Sequence, residues 1–176
     1  IGEFSGNTDT YWSVYQYKKR GENKIYTGPV WDFDIAFDND YRTYPVNNKS
    51  DYVYRSGGSS AGNMKSLVDR ILLLDPNTLA EVKTLWGDAR ENGLNEDYLC
   101  AWIDSMAIEM DSSQHLNFMR WNILNYKEHM NPVARDSYAS EVAYLKEYIT
   151  KRIEWMDKKL GYVYTSAEDV VSSDTY

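Results

Sequence analysis

Apolar side chains recur every three or four positions through most of the chain after residue 63, which is the spacing that one face of an α-helix requires. Asp75-Pro76 and Asn131-Pro132 are predicted to begin helices, because Asp and Asn cap helices and Pro fits the first turn. Gly93 separates two helices, and Gly161 is the predicted C-cap of the last one. The apolar stripes comprise Met64, Leu67, Val68, Ile71, Leu72, Leu79, Val82, Leu85, Trp86, Leu99, Trp102, Ile103, Met106, Met110, Val142, Leu145, Ile149, Ile153, Met156 and Leu160.

The first 62 residues follow a different pattern. Trp12 to Lys18 and Lys24 to Trp31 are rich in aromatic and β-branched residues, and the polar run between them predicts a β-hairpin. The glycine- and serine-rich stretch at 56–60 is interpreted as a mobile loop. The predicted fold class is therefore α+β, with a hairpin-containing segment (1–62), a mainly helical lobe (63–164) and a tail (165–176) in one structural domain.

Several conspicuous side chains are predicted to be structural. Helical spacing favours core packing over a binding surface for four tryptophans, namely Trp86, Trp102, Trp121 and Trp155. Cys100 lies in an apolar helical pattern and is predicted to be a buried, inert thiol. His115 and His129 lack any metal-binding spacing, so surface or capping roles are expected.

Charge and hydropathy exclude two classes of partner. The net charge is −8, and the basic residues are interspersed with acidic ones, so no nucleic-acid partner is expected. The sequence contains no apolar run long enough for a membrane span, and its start lacks the features of a signal peptide. The chain begins at Ile1 and is interpreted as part of a longer protein.

The segment from Gly28 to Phe37 carries the clearest chemical signal. In an extended conformation its period of two would place Trp31, Phe33 and Ile35 on one face and the carboxylates of Asp32 and Asp34 on the other. Two carboxylates at the end of a strand can hold Mg²⁺ or Mn²⁺ and leave coordination positions for phosphate oxygens.

This acidic segment has two other interpretations. A solvated acidic turn is the simpler one, and Asp38 and Asp40 favour it by adding negative charge. An EF-hand loop fits poorly, because Phe37 stands where the glycine belongs and Thr43 where the bidentate glutamate belongs.

A second polar cluster precedes the hairpin, from Glu3 to Asp9. In protein kinases a catalytic-loop aspartate comes first, and the metal-binding Asp-Phe element follows it along the chain. Here Asp9, the hairpin and Asp32-Phe33 occur in that order, with 23 residues from Asp9 to Asp32.

These motifs resemble the spore coat protein H (CotH) kinase family. The resemblance rests on Glu3, Gly6-Asn7-Thr8-Asp9, Tyr15-Gln16-Tyr17-Lys18, Gly28-Pro29-Val30-Trp31-Asp32-Phe33-Asp34 and Arg152-Ile153-Glu154-Trp155-Met156-Asp157. It implies an atypical, secreted or surface-associated protein kinase that uses ATP and a divalent metal. Many members of the family have an asparagine near the position of Ser13, so the second metal is expected to be held differently here.

The resemblance also implies roles for individual residues. Asp9 is expected to be catalytic, Asp32 and Asp34 to bind the metal, and Asn7 and Asp32 to contribute to cofactor binding. Asn7 is predicted to organise the loop or to contact the second metal, while the role of Glu3 stays open.

A kinase also requires an N-terminal lobe with a phosphate-binding lysine, which is expected in the parent protein. Lys18 and Lys24 on the hairpin are predicted to be solvated, so the isolated fragment is expected to be inactive. The alternative function is a degenerate kinase-like scaffold that binds protein or carbohydrate at the cell surface, for which the 16 tyrosines and 6 tryptophans leave room.

Overall fold

A computed structural model describes residues 1–56 and 62–164 of the chain. Seven α-helices and one antiparallel pair of strands lie in these ranges, together with 3₁₀ turns at Thr8–Tyr11 and Val46–Asn48. The elements in chain order are α1 (Gly2–Ser5), β1 (Gln16–Tyr17), β2 (Tyr26–Thr27), α2 (Val53–Ser56), α3 (Gly62–Leu74), α4 (Pro76–Glu91), α5 (Glu96–Glu109), α6 (Asp111–Arg120) and α7 (Tyr138–Leu160). The predicted α+β class is confirmed at this level, as a mostly helical structure with one small sheet.

The helix boundaries follow capping chemistry. Asp75 caps α4 by accepting a hydrogen bond from the Asn77 N–H at 2.9 Å, and Pro76 takes the first turn, as predicted. Gly161 ends α7 in the left-handed conformation, with a φ of 70°. The prediction that Asn131 caps the last helix is wrong. Its side chain instead accepts from the Val133 N–H in a turn, and Ser137 caps α7.

The hairpin is shorter than the sequence pattern predicts. Gln16 pairs with Thr27 and Tyr17 with Tyr26, and one further hydrogen bond joins the Gly28 N–H to the carbonyl of Tyr15. Pro29 has no N–H and cannot extend the ladder. On the other strand, the Ser13 N–H is bonded to the Asp9 carbonyl beside the 3₁₀ turn, which keeps the start of the predicted first strand out of the sheet.

The segment after β2 is not extended, so the predicted alternation fails. Asp32 adopts a left-handed conformation with a φ of 58°, which breaks the two-residue period. Ile35 is buried, Phe33 is half-buried and Trp31 is exposed, so these side chains do not form one anchored face.

The core joins the first zone of the chain to the last helix. Val46 and Val53 pack against Tyr148, Ile149 and Ile153 of α7 in one buried cluster. A second cluster contains Trp86, Met156 and Leu160. Helix α7 is therefore the common support of the loops at the start of the chain and of the helices after residue 62.

The helices before α7 contribute less to this core than predicted. Trp86 is buried and Trp155 is half-buried, but Trp102 and Trp121 are 56% and 54% exposed, so the core prediction is wrong for these two. Leu79 and Leu85 of α4 are also exposed. A helical period marks which positions share a face, but tertiary packing decides whether that face is covered.

The remaining predictions concern side chains and segments away from the site. His115 and His129 are exposed, as expected, and Cys100 is only half-buried. No helix in the described ranges has the length and apolar character needed to cross a bilayer. The predicted loop at 56–60 falls largely outside the described residues, and the tail at 165–176 does so entirely.

Candidate active site

One buried amide fastens the two polar motifs of the first zone to each other. Asn7 is 1% exposed, and its Oδ1 accepts a hydrogen bond from the Asp9 N–H at 3.0 Å. Its Nδ2 donates to the main-chain carbonyl of Asp32 at 3.5 Å. Residues that are 25 positions apart in sequence are thereby held around one side chain. This contact pattern fits the predicted role of Asn7 as a loop organiser.

The loop that carries Asn7 has little room for other sequences. Gly6 has a φ of 70°, and a Cβ at this position would lie 2.6 Å from the hydroxyl of Tyr148. That hydroxyl donates to the carbonyl of Phe4 at 3.1 Å, and the Phe37 N–H donates to the carbonyl of Ser5 at 2.7 Å. A glycine is needed here both for the backbone conformation and for the close approach of α7.

Asp38 and Asp40 are structural, which revises the view that they add to a solvated acidic turn. Asp38 is buried and accepts hydrogen bonds from the Val46 N–H and from the Tyr144 hydroxyl, both at 2.7 Å. Asp40 is 0% exposed and accepts from Thr8 at 2.9 Å and from the Arg42 guanidinium at 2.8 Å. Burial alone would raise the pKa of Asp40, but the hydrogen bonds from Arg42 and Thr8 outweigh burial and lower it.

The other three aspartates of this region differ from Asp38 and Asp40. The carboxylates of Asp9, Asp32 and Asp34 take part in no hydrogen bond or ion pair with any described residue. Asp32 and Asp34 are exposed, and Asp9 is half-buried. Desolvation raises the pKa of Asp9, Arg42 opposes that shift, and the negative charges of Asp32 and Asp34 add to it. Asp9 thus interacts electrostatically with both Asp32 and Asp34.

The donor set limits the metal chemistry that these residues can support. Within the described ranges, no group of three or more histidine, cysteine, aspartate or glutamate side chains is arranged to hold a metal ion. A closed site made only of protein ligands is therefore not formed by these residues. Two free, exposed carboxylates do match the needs of Mg²⁺, which usually takes one or two protein carboxylates and completes its shell with water and phosphate oxygens.

The comparison with known proteins identifies the family. The model of the family described as CotH kinase protein matches residues 1–156 of the 176-residue chain. The chain belongs to this family. The match spans Glu3, Asn7, Asp9, Asp32 and Asp34 and confirms the resemblance found in the sequence. No curated protein and no solved structure matches significantly.

In this CotH chain a cavity of about 250 Å³ opens beside Asp9. Ser13, Pro29, Trp31 and Phe33 are among its lining residues, so the base of the hairpin forms one wall. The Trp31 indole N–H donates to the Ser13 carbonyl at 3.2 Å and closes this wall. A larger cavity of about 570 Å³ adjoins it through Ile1, Gly2 and Thr10, is lined mainly by apolar residues and is not lined by Asp9. Asp32 and Asp34 line neither of these two cavities. The smaller cavity is therefore the one relevant to Asp9.

Glu3 supports the site from outside it. Its carboxylate accepts hydrogen bonds from the Val53 and Tyr54 N–H groups, at 2.8 and 3.0 Å, and so binds the start of α2. Arg152, which is fully buried in α7, donates to the Glu3 carbonyl at 2.6 and 2.9 Å. Glu3 therefore anchors the CotH motif to the core, and its carboxylate is already occupied by protein donors.

Arg42 is the residue of this site that sequence reasoning missed. Its guanidinium binds Asp40 and lies 3.3 Å from the hydroxyl of Thr8, and its charge partly offsets the rise in the pKa of neighbouring Asp9 that desolvation causes. The available signal was its spacing of two residues from Asp40, which permits a local ion pair but does not reveal the contact with Thr8.

Proposed function

We propose that this chain is the metal- and phosphate-handling part of an atypical CotH protein kinase that transfers phosphate from ATP to serine or threonine of a protein. In this proposal the helices after residue 62 belong to a kinase-like C-terminal lobe. The observation that carries it is the arrangement around Asn7. One buried amide joins the Asp9 loop to Asp32, and three carboxylates have no hydrogen-bond or ion-pair partner among the described residues.

Asp32 and Asp34 would hold the divalent cation. Their carboxylates are exposed and have no bonded partner in residues 1–56 and 62–164, and oxygen donors of this kind suit Mg²⁺ or Mn²⁺. When bound, the cation supplies positive charge that offsets the charge of the phosphate groups. The left-handed conformation of Asp32 and its main-chain bond to Asn7 orient this residue relative to the Asp9 loop.

Asp9 would act on the acceptor. A serine or threonine side chain fits the cavity beside Asp9, and the carboxylate can accept a hydrogen bond from its hydroxyl. As the acceptor oxygen bonds to the γ-phosphorus of ATP, the hydroxyl proton passes to the Asp9 carboxylate and ADP leaves. The raised pKa of Asp9, which comes from desolvation and the nearby negative charges, makes this carboxylate a better proton acceptor than an ordinary surface aspartate.

A second candidate is a kinase-like scaffold that binds protein or carbohydrate and performs no catalysis. The observation that favours it is the number of exposed aromatic side chains, which include Trp12, Tyr15, Tyr17, Trp102 and Trp121. A binding module does not need three unpaired carboxylates around one loop, so the aspartates favour the enzyme.

The test replaces Asp32 with asparagine in the intact protein that contains this chain. Phosphate incorporation from labelled ATP into a serine/threonine peptide library is measured with Mg²⁺, together with the thermal midpoint. Because the metal neutralises charge in the transition state, Asp32→Asn should lower incorporation by about a thousandfold or more without lowering the thermal midpoint.

Asp88→Asn is the matched control, because Asp88 is an exposed aspartate of α4 with a free carboxylate among the described residues. It should keep full activity. If Asp32→Asn retains near wild-type incorporation, or loses it only by unfolding, Asp32 has no role in the chemistry and the scaffold function is preferred.

A further inference from the structure

The tip of the hairpin is strongly basic in an otherwise acidic protein. Residues 18–24 contain Lys18, Lys19, Arg20 and Lys24 against the single acid Glu22, a net charge of +3 in a chain whose total is −8. Lys19 lies 3.9 Å from Glu22, while the other three cations have no ion-pair partner among the described residues. The whole tip except Glu22 is exposed. An acidic partner would therefore meet positive charges that neighbouring described residues largely leave unpaired.

One face of the same hairpin is aromatic. Tyr17 and Tyr26 stack with ring centroids 5.2 Å apart and planes at 13°, and the Lys19 ammonium lies 4.7 Å from the Tyr26 centroid. Nearer the base, Tyr15 packs against Trp31 with centroids 5.2 Å apart. Exposed tyrosine and tryptophan side chains with few rotatable bonds are typical of protein-binding surfaces.

This surface continues into the candidate active site. Trp31 belongs both to the aromatic face and to the wall of the cavity beside Asp9, and Ser13 and Gly28 at the hairpin base line the same cavity. A polypeptide with one side chain in that cavity can contact Trp31 and continue along the hairpin. A ligand of the hairpin and an acceptor at Asp9 can therefore be parts of one molecule.

We propose that the hairpin surface, defined as Tyr15, Tyr17, Lys18, Lys19, Arg20, Lys24 and Tyr26, binds an acidic segment of the protein whose hydroxyl is presented to Asp9. Its role in acceptor selection rests on the proposed kinase function. The distance from Tyr15 to Arg20 is at most about 17 Å at roughly 3.4 Å per extended residue. The acidic residues should therefore lie about five positions from the acceptor serine or threonine.

An acidic polypeptide fits this surface better than other anionic partners. Tyr17 and Tyr26 stack on each other and the Lys19 ammonium lies over Tyr26, so fewer ring faces are open for nucleic-acid bases. The rest of the chain is strongly acidic and repels an extended polyanion or an anionic membrane, whereas a short acidic segment needs to contact only the tip.

The experiment measures binding of three fluorescent 15-residue peptides to the 176-residue chain, without ATP or metal, by fluorescence anisotropy at low salt. Each peptide carries one serine, and a cluster of four residues five positions away is Glu, Gln or Lys. The Glu peptide should bind at least about tenfold more tightly than the Gln peptide, and salt should weaken this preference. The Lys peptide should bind most weakly.

Two pairs of variants locate the site. Lys18→Glu/Arg20→Glu/Lys24→Glu should abolish the preference for the Glu peptide. Lys65→Glu/Lys83→Glu/Lys127→Glu changes the net charge equally at exposed positions elsewhere and should keep the preference.

The second pair tests the aromatic face. Tyr15→Ala should weaken binding of the Glu peptide about threefold or more, whereas Tyr126→Ala should not. Both tyrosines are 59% exposed, so they make a matched comparison.

Several outcomes would overturn the proposal. These are equal or tighter binding of the Lys peptide, equal loss in both triple variants, or tighter binding of a single-stranded oligonucleotide or phosphatidylserine vesicle than of the Glu peptide. If the Glu peptide binds as predicted but the intact protein has no kinase activity, the proposal for the hairpin surface stands and the proposed function is rejected. If the intact protein has kinase activity but the Glu peptide is not preferred, only the proposal for the hairpin surface is rejected.

Discussion

The loops of residues 1–48 and the helices after residue 62 are stabilised in different ways. In the loops the buried side chains are largely polar, and Ser5, Asn7, Asp38, Asp40 and Thr43 all make hydrogen bonds. In contrast α3, α5 and α6 have no fully buried residue, although their sequences are amphipathic. The region with the least regular secondary structure therefore contains most of the buried polar contacts.

This difference has a physical reason. A helix satisfies its own backbone hydrogen bonds, so it can lie at the surface with little tertiary support. A loop must satisfy its backbone groups through side chains or neighbouring segments, and the acidic and amide side chains of residues 1–48 do this. Specific side-chain contacts therefore hold Asp9 and Asp32 in place despite the scarcity of secondary structure.

The largest expected effect comes from removing a bonded aspartate of the loops. Asp40→Ala should lower the free energy of unfolding by about 3 kcal/mol, because Arg42 and Thr8 lose a fully buried partner. Asp34→Ala should change it by less than about 0.5 kcal/mol, because that carboxylate has no partner among the described residues. Urea denaturation of both variants measures the difference.

The same comparison predicts a pH dependence. The folded-state pKa of Asp40 is lowered, so its contribution to stability is present above the ordinary value of 3.8 and is lost as pH falls through the lower folded-state pKa. The Asp40→Ala effect should therefore shrink in acid. Equal stability of the Asp40 and Asp34 variants at neutral pH would show that burial in this loop does not distinguish the two aspartates.

A smaller loss of stability is expected when either of two asparagines that cap helical turns is replaced. Asn7 accepts from the Asp9 N–H in the loop, and Asn95 accepts from the Tyr98 N–H at the start of α5. Each change to alanine should cost about 1 to 2 kcal/mol. On the proposed function only Asn7→Ala should also lower phosphate incorporation, by about tenfold or more, because Asp32 loses its main-chain partner.

Thermal midpoints and the labelled-ATP assay separate the two roles. If Asn7→Ala and Asn95→Ala lose the same stability and both retain activity, Asn7 is an ordinary cap and does not position Asp32.

The smallest expected effect is a gain in stability. The pKa of Asp9 is raised, first by desolvation and further by the charges of Asp32 and Asp34, so its ionised form destabilises the folded state. This penalty is complete above the folded-state pKa and disappears below the unfolded value of 3.8. Asp9→Asn should therefore raise the thermal midpoint at pH 7 and have no such effect near pH 3, as measured by circular dichroism.

Asp88→Asn again serves as the control. Because the Asp88 carboxylate is exposed, its replacement should not change the thermal midpoint at either pH. A lower midpoint of Asp9→Asn at pH 7 would mean that the Asp9 carboxylate stabilises the fold, contrary to its raised pKa.

The sequence predicted the helices better than the surfaces they bury. Local signals specify helix starts and ends, so the cap at Asp75 and the end at Gly161 were found correctly. The cap at Asn131 was wrong because asparagine also forms turns, and only the observed bond to Val133 distinguishes the two. Exposure of Trp102 could not be predicted, because a helical period does not say which faces meet another element.

For the candidate site the sequence supplied the residues and their order. The Asp9, hairpin and Asp32-Phe33 order, with the surrounding motifs, was sufficient to recognise the CotH family. It did not reveal the left-handed backbone of Asp32, and the extended interpretation of that segment was incorrect. A single non-glycine residue with positive φ has no reliable local signal.

The sequence by itself thus determined the family, the helical periods and the set of acidic residues near the hairpin. The tertiary structure alone decided which aspartates are bonded to protein donors. Tyr144 reaches Asp38 across 106 positions of sequence, while Asp9, Asp32 and Asp34 meet no comparable donor in the described residues. Burial and hydrogen bonding depend on these distant contacts, so identical side chains in one short segment acquire opposite roles.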